Sequence, residues 1–417
     1  MNTSYDIIIA GGGLSGFAAA VAAAREGAKV LIVERFGFLG GAIGTSLINP
    51  FMPYVTKVNG ERIFINGGIF KTLIEQLDEM GSLHENRDTF NEETLKLLLD
   101  RMAKAHGVDV LFHSYLIDAV TDGSMVKRIT VANKSGKMEF SAKFFIDATG
   151  DADLSVLAGC NYQLGREPDH LCQPMTLCFR LGNVDLDAYR AVKPQINQLY
   201  QQFQKAGKIK NPREDVLIFS NMCDGVLHFN STRIIKRNPV DAWDVSAAEM
   251  EAREQIFELY NFMKQNIRGF ENSVLLMSAP QIGARESRMI EGEYKITSED
   301  ITSCRKFPDS IARGNYGIDV HSPDGTGTHI VYIPAGEYYT IPYRALIPKG
   351  KDNLLTVGRC ISSDHEAQSA YRVMPICCCM GEGAGTAAAY AVANHTTAKG
   401  VDIDAVRAAL IAHGALI

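Results

Sequence analysis

The sequence predicts an α/β fold in which a parallel sheet flanked by helices is interrupted by an inserted α+β unit. An apolar strand at 5–10 runs through closely spaced glycines into a helix near 14–26, and then into a second apolar strand at 29–34. Short apolar runs at 108–113 and 353–357, far apart along the chain, have the composition of further buried strands.

The middle of the chain has a different character. From about 166 to 339 polar helices, predicted at 186–206 and 246–266, separate β-like runs at 176–182, 226–235, 274–282 and 328–333. Met374 and Pro375 then open a glycine- and alanine-rich helix that runs to about 393. We therefore predict a discontinuous first domain, residues 1–165 and 340–417, with residues 166–339 inserted as a second domain.

The opening unit has the residues of a Rossmann-like dinucleotide-binding motif. Gly11 permits the tight turn, Gly13 lets a pyrophosphate approach the backbone, and Gly16 lets the helix lie close to the sheet. The helix N-terminus offers free N–H groups to the phosphates. Glu34 ends the second strand, where a carboxylate can accept both hydroxyls of a ribose.

The rest of the first domain follows from local patterns. Apolar residues at helical spacing predict a helix at 69–80, and Asn91 is the predicted N-cap of a helix at 92–105. Residues 36–45 are too rich in glycine for a regular element, and 115–145 read as antiparallel strands with a turn at 134–136.

Composition excludes several function classes. The 417 residues carry a net charge of −6, which argues against nucleic acid or an anionic membrane as partner. We find no uninterrupted run of about 18 apolar residues and no leader pattern, so the expectation is a cytoplasmic protein. The nine cysteines lack framework or metal-ligand spacing, and we predict no metal site. Adjacent side chains diverge on a helix, so the run Cys377–Cys379 reads as small packing residues.

Three further features distinguish FAD from NAD. Leu39–Ala42 follows Glu34, where a loop can track the longer cofactor from its pyrophosphate toward the flavin. The strand end Ile146–Asp151 places a small loop beside the first one, and Gly358–Arg359 returns from the C-terminal side. The helix after Pro375 would point its N-terminus at the N1–C2=O edge of a flavin and stabilise negative charge there.

Taken together, these residues resemble the glutathione-reductase-type FAD proteins and, more closely, the bacterial FAD-dependent oxidoreductase family over nearly the whole chain. The resemblance rests on the unit Gly11–Glu34 and on segments 39–41, 148–153, 281–288, 339–344, 358–366 and 372–375. It implies bound FAD and a redox reaction, whereas fold alone does not fix a substrate.

The resemblance also implies which residues hold FAD. Gly11, Gly13, Ser15 and Gly16 would hold the pyrophosphate, Glu34 the ribose, and the backbone of Leu116 the adenine. Gly40, Gly41, Ala42, Gly44 and Thr45 would pass along the ribityl chain and flavin. The other implied contacts are Leu14, Arg35, Ala148, Thr149, Gly150, Gly358, Arg359, Val373 and Met374. Relatives usually carry an acid after the late glycine; this chain has Arg359 there, and Asp364 is the candidate substitute.

His365 is the first catalytic candidate, because it lies between the Gly358 turn and the flavin-facing helix. Asp364 and Glu366 beside it could fix its tautomer. A surface or packing histidine is the other interpretation.

Arginines are the candidates for substrate capture. Arg285 or Arg288 suits bidentate capture of an anion, although on a strand the two face opposite sides. The alternative for them is an ion pair with Glu286 or Glu291. Arg372 precedes the helix and could face flavin or substrate.

Asp319 and His321 alternate on one strand face and could line a pocket or serve the fold. We therefore expect an FAD-dependent oxidoreductase that transfers a hydride between flavin and a small, anionic metabolite. The electron partner could be NAD(P)H, oxygen or another carrier. No second glycine-loop unit is present in the insert, so NAD(P)H would share one pocket with the substrate. A homodimer fits the architecture. The alternatives are an NAD-using biosynthetic enzyme like the thiazole synthases, and a non-catalytic flavin-binding subunit of a redox complex.

Overall fold

A computed structural model describes residues 3–167, 169–325 and 327–417. The strands are β1 Ser4–Ala10, β2 Val30–Val33, β3 Val55–Val58, β4 Glu61–Phe64, β5 Asp109–Leu111, β6 Tyr115–Asp122, β7 Met125–Asn133, β8 Gly136–Asp147, β9 Tyr162–Leu164, β10 Phe179–Gly182, β11 Ile218–Ser220, β12 Leu227–Phe229, β13 Val274–Ser278, β14 Arg288–Ile290, β15 Ser310–Gly314, β16 Ile318–His321, β17 Thr328–Val331, β18 Tyr339–Pro342 and β19 Leu354–Thr356. The α-helices are α1 Leu14–Arg25, α2 Ala42–Thr45, α3 Gly68–Glu79, α4 Glu92–Ala105, α5 Asp153–Leu157, α6 Leu186–Lys205, α7 Ala242–Asn266, α8 Ser298–Thr302, α9 His365–Tyr371, α10 Met374–Ala393 and α11 Ile403–Ala412.

The central sheet joins both ends of the chain. Its parallel part runs β5-β2-β1-β8, with β19 paired in parallel to the C-terminal half of β8. The N-terminal half of β8 instead pairs antiparallel with β7, which continues to β6. The predicted α/β class is confirmed, as are the antiparallel excursion and its turn at 134–136. Because parallel strands bring their carboxyl ends to one edge, the loops after β1, β2, β8 and β19 meet there.

Helices α1 and α10 pack closely because both are built from small residues. A Cβ atom on Gly381 would lie 2.0 Å from the backbone oxygen of Ser15, and one on Gly385 2.1 Å from that of Ala19. By length and composition α10 could cross a membrane, but most of it is buried in the protein, and Glu382 interrupts its apolar run and pairs with Arg25. The three adjacent cysteines of α10 are buried and free, so their prediction as packing residues is confirmed.

A second sheet, in the order β11-β12-β10-β13, packs with α6 and α7 around a separate core that includes Phe179, Phe229 and Leu259. It lies within the predicted insert. Other residues of that insert, such as Ile296 and Ile311, join the core of the first sheet. The domain boundaries themselves stay a prediction.

Several elements differ from their predicted bounds. Helix α7 begins at Ala242 rather than 246, because Asp241 caps it by accepting hydrogen bonds from two backbone N–H groups. One turn of helix, α2, forms in the glycine-rich stretch that was predicted to be irregular. The run 226–235 is a strand only as far as Phe229, since Thr232 then bonds the backbone of Leu177 through its side chain. Asn91 caps α4 as predicted.

Candidate functional site

The three glycines of the dinucleotide-binding motif after β1 differ in their surroundings. A Cβ atom on Gly11 would lie 2.4 Å from the oxygen of Ala148, and one on Gly16 1.9 Å from the oxygen of Gly11, so both positions are closed by backbone. A Cβ atom on Gly13 would meet nothing nearer than Gly41, at 4.0 Å. No side chain caps the N-terminus of α1 in the described structure. The first N–H groups of α1 are therefore left without a side-chain acceptor among the described residues.

Glu34 lies at the end of β2 beside the same turn. Its carboxylate accepts hydrogen bonds from the backbone N–H of Gly12 at 2.6 Å and of Phe36 at 2.8 Å. Burial raises the pKa of Glu34 even though these N–H groups oppose the shift. Each oxygen keeps a second lone pair, which a ribose hydroxyl could use.

The loop after β8 is held from within. Buried Asp147 accepts hydrogen bonds from Thr149 and Ser155, which fixes the turn at Gly150. Asp151 then pairs with Arg359 at 2.5 Å and accepts a hydrogen bond from Ser287 at 2.7 Å. Burial would raise the pKa of Asp151, but the Arg359 guanidinium and the Ser287 hydroxyl hold it below its ordinary value.

Asp364, the substitute acid that the sequence suggested, has its carboxylate at the ends of two helices. One of its oxygens caps α9 by accepting from Ala367 N, and the other accepts from Ser298 N at the start of α8. Each oxygen keeps a second lone pair, so the role of Asp364 toward FAD stays a prediction. The carboxylate beside Arg359 is Asp151, which lay in a matching segment that the sequence analysis did not single out.

Helix α10 points an N-terminus without a side-chain cap toward this edge, with Val373 as N-cap. Arg372 comes one residue earlier and donates to the backbone oxygens of Ser369 and Asp319, at 3.3 and 3.2 Å. Its Nη1 is buried without a hydrogen-bond partner in the part of the chain that the structure describes. Burial lowers the pKa of Arg372, while Asp319 opposes that shift.

A cationic cluster surrounds His321 on β16. Burial lowers the pKa of His321, and the charges of four arginines lower it further: Arg285, Arg372, Arg213 and Arg233. Arg233 Nη2 donates to His321 Nδ1 at 3.1 Å, which leaves the ring proton on Nε2, 3.7 Å from the carboxylate of Asp319. Tyr316 donates to the same carboxylate at 2.5 Å. Arg213 pairs with Asp215 through Nε, and its Nη1 has no partner among the described residues.

Arg285 belongs to the same cluster and lies in the segment between β13 and β14. It donates to the oxygen of Pro174 at 2.7 Å, to Thr176, and to Asn230 at 3.3 Å. Arg288 faces away from it, as predicted, and its guanidinium pairs with Asp153 at 3.0 Å. The alternative of an ion pair with Glu286 or Glu291 is not seen for either arginine in the described structure, because Arg288 pairs with α5 and Arg285 donates to neutral oxygens.

His365 begins α9, and its Nδ1 lies 2.7 Å from Oε1 of Glu286, whose side chain is fully buried. The other oxygen of Glu286 accepts from the backbone N–H of Gln173 at 2.8 Å. Asp364 and Glu366 were the expected partners, and neither contacts the ring. Asp364 accepts hydrogen bonds from backbone N–H groups, and Glu366 is exposed to solvent.

The remaining predicted cofactor residues lie along the same edge or near it. Gly40 donates to Gly12 O at 2.8 Å and so joins the two glycine loops. Gly44 packs against Phe38, and Thr45 is buried. Arg35 covers the ring of Phe36, and Leu116 lies on β6 opposite Val131. The roles of these residues toward FAD stay predictions.

Sequence reasoning missed Glu286, Arg213 and Tyr316. Glu286 lay between two arginines that drew attention as anion ligands, so a motif signal existed for it. Arg213 and Tyr316 come from irregular segments, where no periodic pattern marks a side chain as buried.

Several groups at this edge of the sheet lack protein partners in the described structure, and their chemistry fits FAD. The space at Gly13, the carboxylate of Glu34 and the uncapped N-terminus of α10 border one edge of the sheet. Nε of Arg359 is buried beside Gly150 without a partner in the described structure. The turn at Gly13 would hold the pyrophosphate of FAD, Glu34 the ribose, and the N-terminus of α10 the flavin. Arg359 would lie close to the ribityl chain.

Several known proteins are similar to this chain in sequence or in fold. A digeranylgeranylglycerophospholipid reductase of Picrophilus torridus is 27% identical over 203 residues, covering 45% of this chain and 49% of that protein. The chain thus matches about half the length of this curated relative. A geranylgeranyl bacteriochlorophyll reductase-like protein from Thermoplasma acidophilum aligns at 12% identity with a TM-score of 0.49, over 94% of this chain and 79% of that one. The flavin-dependent brominase Bmp2 aligns at 13% identity with a TM-score of 0.49, over 99% and 83%. The family model for FAD dependent oxidoreductases matches residues 6–410, and the chain belongs to that family.

Proposed function

We propose that this FAD-dependent oxidoreductase transfers a hydride between FAD and a small anionic metabolite that Arg372 and Arg285 bind. The observation that carries this proposal is the unpartnered, buried Nη1 of Arg372, two residues before the start of α10. Buried charges and buried hydrogen-bond donors are costly unless paired. A carboxylate or another anion on the substrate would supply the partner that Arg372 lacks.

The charge balance of the cluster supports an anion. Its four arginines face the carboxylates of Glu214, Asp215 and Asp319, and His321 is neutral because its pKa is lowered. The guanidinium of Arg372 is influenced by the charges of Asp319 and Glu286, but it forms no ion pair among the described residues and donates only to backbone oxygens. A bound anion would neutralise it at a place where the dielectric constant is low and the attraction strong.

When bound, FAD supplies the acceptance or release of a hydride. The accompanying proton is left to the side chains, and we assign it to Nε2 of His365, the ring nitrogen that Glu286 does not contact. Nε2 would accept the proton when the substrate is oxidised and return it when the substrate is reduced. Arg372 is the C-cap of α9, about two helical turns after His365.

The electron partner that we propose is NAD(P)H, which would use the substrate pocket in turn. The absence of a second glycine-loop unit in the insert sequence supports one shared pocket. The NAD-using alternative is set aside because the family uses FAD. The alternative of a non-catalytic subunit is set aside by membership of an oxidoreductase family.

An anaerobic screen tests the proposed function. The oxidised, FAD-loaded protein is mixed with NADH, with NADPH and with a panel of 2-hydroxy acids that includes lactate, L-malate and 2-hydroxyglutarate, and flavin absorbance is followed. We expect bleaching by at least one acid, and loss of that bleaching in Arg372→Gln. Bleaching that is equal in the variant and the wild type would contradict the assignment of Arg372.

A further inference from the structure

We infer that Glu286 is the positioning residue for His365 and holds its imidazole with the proton on Nδ1 and the lone pair on Nε2. This inference rests on the proposed role of His365. A carboxylate can only accept a hydrogen bond, so the 2.7 Å contact with Nδ1 requires the ring proton to be there. Neutral His365 then presents Nε2 as a base, and the protonated ring presents it as an acid.

The carboxylate of Glu286 is itself fixed. Its side chain is fully buried, and its second oxygen accepts from Gln173 N at 2.8 Å. Gln173 is held in turn, because its Nε2 donates to Gln368 on α9 at 3.2 Å. Glu286 and His365 are therefore braced against the same helix, which limits rotation of both side chains.

The neighbours of Glu286 connect it to both halves of the site. Arg285, one residue before, reaches into the cationic cluster. Ser287, one residue after, donates to Asp151 in the loop beside Arg359. Three consecutive side chains thus contact three parts of the site: Arg285 lies in the cationic cluster, Glu286 contacts His365, and Ser287 contacts the loop after β8. Any shift of this segment would change the distance of Nε2 from a substrate held by Arg372.

Nitrogen NMR of the holoenzyme tests the inference without a substrate. The FAD-loaded protein is labelled with ¹⁵N-histidine, and the signal of His365 is assigned by its loss in His365→Gln. At a pH where the ring is neutral, we expect the Nδ1–H tautomer in more than about tenfold excess, as expected for a charge-assisted hydrogen bond. The Nε2–H tautomer in the wild-type protein would overturn the inference.

Variants separate positioning from a purely structural contact. Glu286→Gln should remove the excess of the Nδ1–H tautomer and slow flavin reduction at saturating acid at least about tenfold, with KM changed by less than about twofold. Glu286→Asp keeps a carboxylate and should retain the Nδ1–H tautomer. If Glu286→Gln does not fold, the tautomers measured in Glu286→Asp and in the wild type test the inference. Glu366→Gln, the same change at the exposed neighbouring acid, is the matched control and should leave both readouts unchanged.

The two proposals fail in different ways. If His365→Gln leaves turnover unchanged, the proposed role of His365 fails. If His365→Gln is slow while Glu286→Gln keeps the wild-type tautomer and rate, only the positioning inference is overturned.

Discussion

Gly13 is the motif glycine with room for a side chain, and we predict that the cofactor approaches the turn there. A Cβ atom there has no protein neighbour closer than 4.0 Å, and its φ of −62° is one that alanine adopts without strain. Gly13→Ala should therefore leave the stability of the FAD-free protein unchanged and weaken FAD binding at least about tenfold, since a methyl group would occupy the approach of the pyrophosphate. Thermal unfolding and FAD titration measure the two effects. Wild-type FAD affinity in this variant would contradict the placement of the cofactor.

His365 carries the prediction on catalysis. His365→Ala should retain FAD and slow turnover more than about tenfold, because the proton that accompanies the hydride loses its acceptor. Stopped-flow absorbance with the acid found in the screen measures the rate. Unchanged turnover with normal FAD content would remove His365 from the mechanism.

His228 carries a prediction on pH. It lies on β12 opposite Arg180, both ring nitrogens lack partners among the described residues, and burial together with Arg180 lowers its pKa to about 3. A depressed pKa means that the stabilising contribution is present above the unfolded value of 6.5 and is lost as pH falls toward 3. Between pH 6.5 and 5 the loss is about 2 kcal/mol, from about 1.4 kcal/mol per pH unit.

His228→Phe should remove this loss and keep the packing against Phe219. Denaturant unfolding at pH 7 and pH 5 compares the two proteins. Because His321 titrates with the same sign, some acid sensitivity will remain in the variant. An equal loss of stability in variant and wild type would contradict the account of His228.

The sequence predicted single residues well where a motif fixes geometry, and poorly where a partner comes from far along the chain. Glu34 and Gly16 have their roles set within one βαβ unit, and both lie where the motif requires. The partners of His365 and Arg359 are 79 and 208 residues away, in Glu286 and Asp151. For His365 the sequence suggested its neighbours Asp364 and Glu366 instead, and for Arg359 it suggested no partner, because tertiary proximity leaves no periodic signal.

At the scale of elements, the contact between α1 and α10 determines where two helix N-termini point. Gly385→Ala would bring a Cβ atom to 2.1 Å from the oxygen of Ala19, and the helices would have to separate. Overpacking of this kind costs about 1–3 kcal/mol. We expect Gly385→Ala to lower the stability of the FAD-free protein, whereas Gly13→Ala, at an open position, serves as its control. Equal thermal midpoints for both variants would show that the contact is looser than described.

Helix α4 was predictable in detail, whereas strand β12 was not. Helix α4 has its predicted bounds because Asn91 caps it and its apolar residues recur at helical spacing. Strand β12 is shorter than its apolar run because side chains beyond Phe229 bond to other segments. The ends of strands depend on such tertiary partners, which the sequence of the strand itself does not reveal.

At the scale of the whole molecule, the predicted cofactor groove is the sheet edge where FAD would bind, and it is built from segments that span most of the chain. Residues near 13, 34, 150 and 373 border it, and the core beneath it includes Phe17, Ile311 and Ile376. Binding of FAD should therefore stabilise the protein as a unit. At a free FAD concentration about 100 times Kd, linkage predicts about 2.7 kcal/mol of added stability. Calorimetry with and without FAD measures it, and an unchanged midpoint would contradict the placement of the groove.

The central claim is that Arg372 binds an anion beside the flavin, and a difference-absorbance titration tests it most directly. L-malate is added anaerobically, with readings taken before any turnover, to FAD-loaded wild-type protein, to Arg372→Gln and to Arg288→Gln, whose arginine pairs with Asp153 outside the cluster. We predict saturable perturbation of the flavin spectrum in the wild type, equal affinity in Arg288→Gln, and affinity at least about tenfold weaker in Arg372→Gln, the loss expected for one charge-assisted contact. Equal affinity in the wild type and Arg372→Gln would contradict the account.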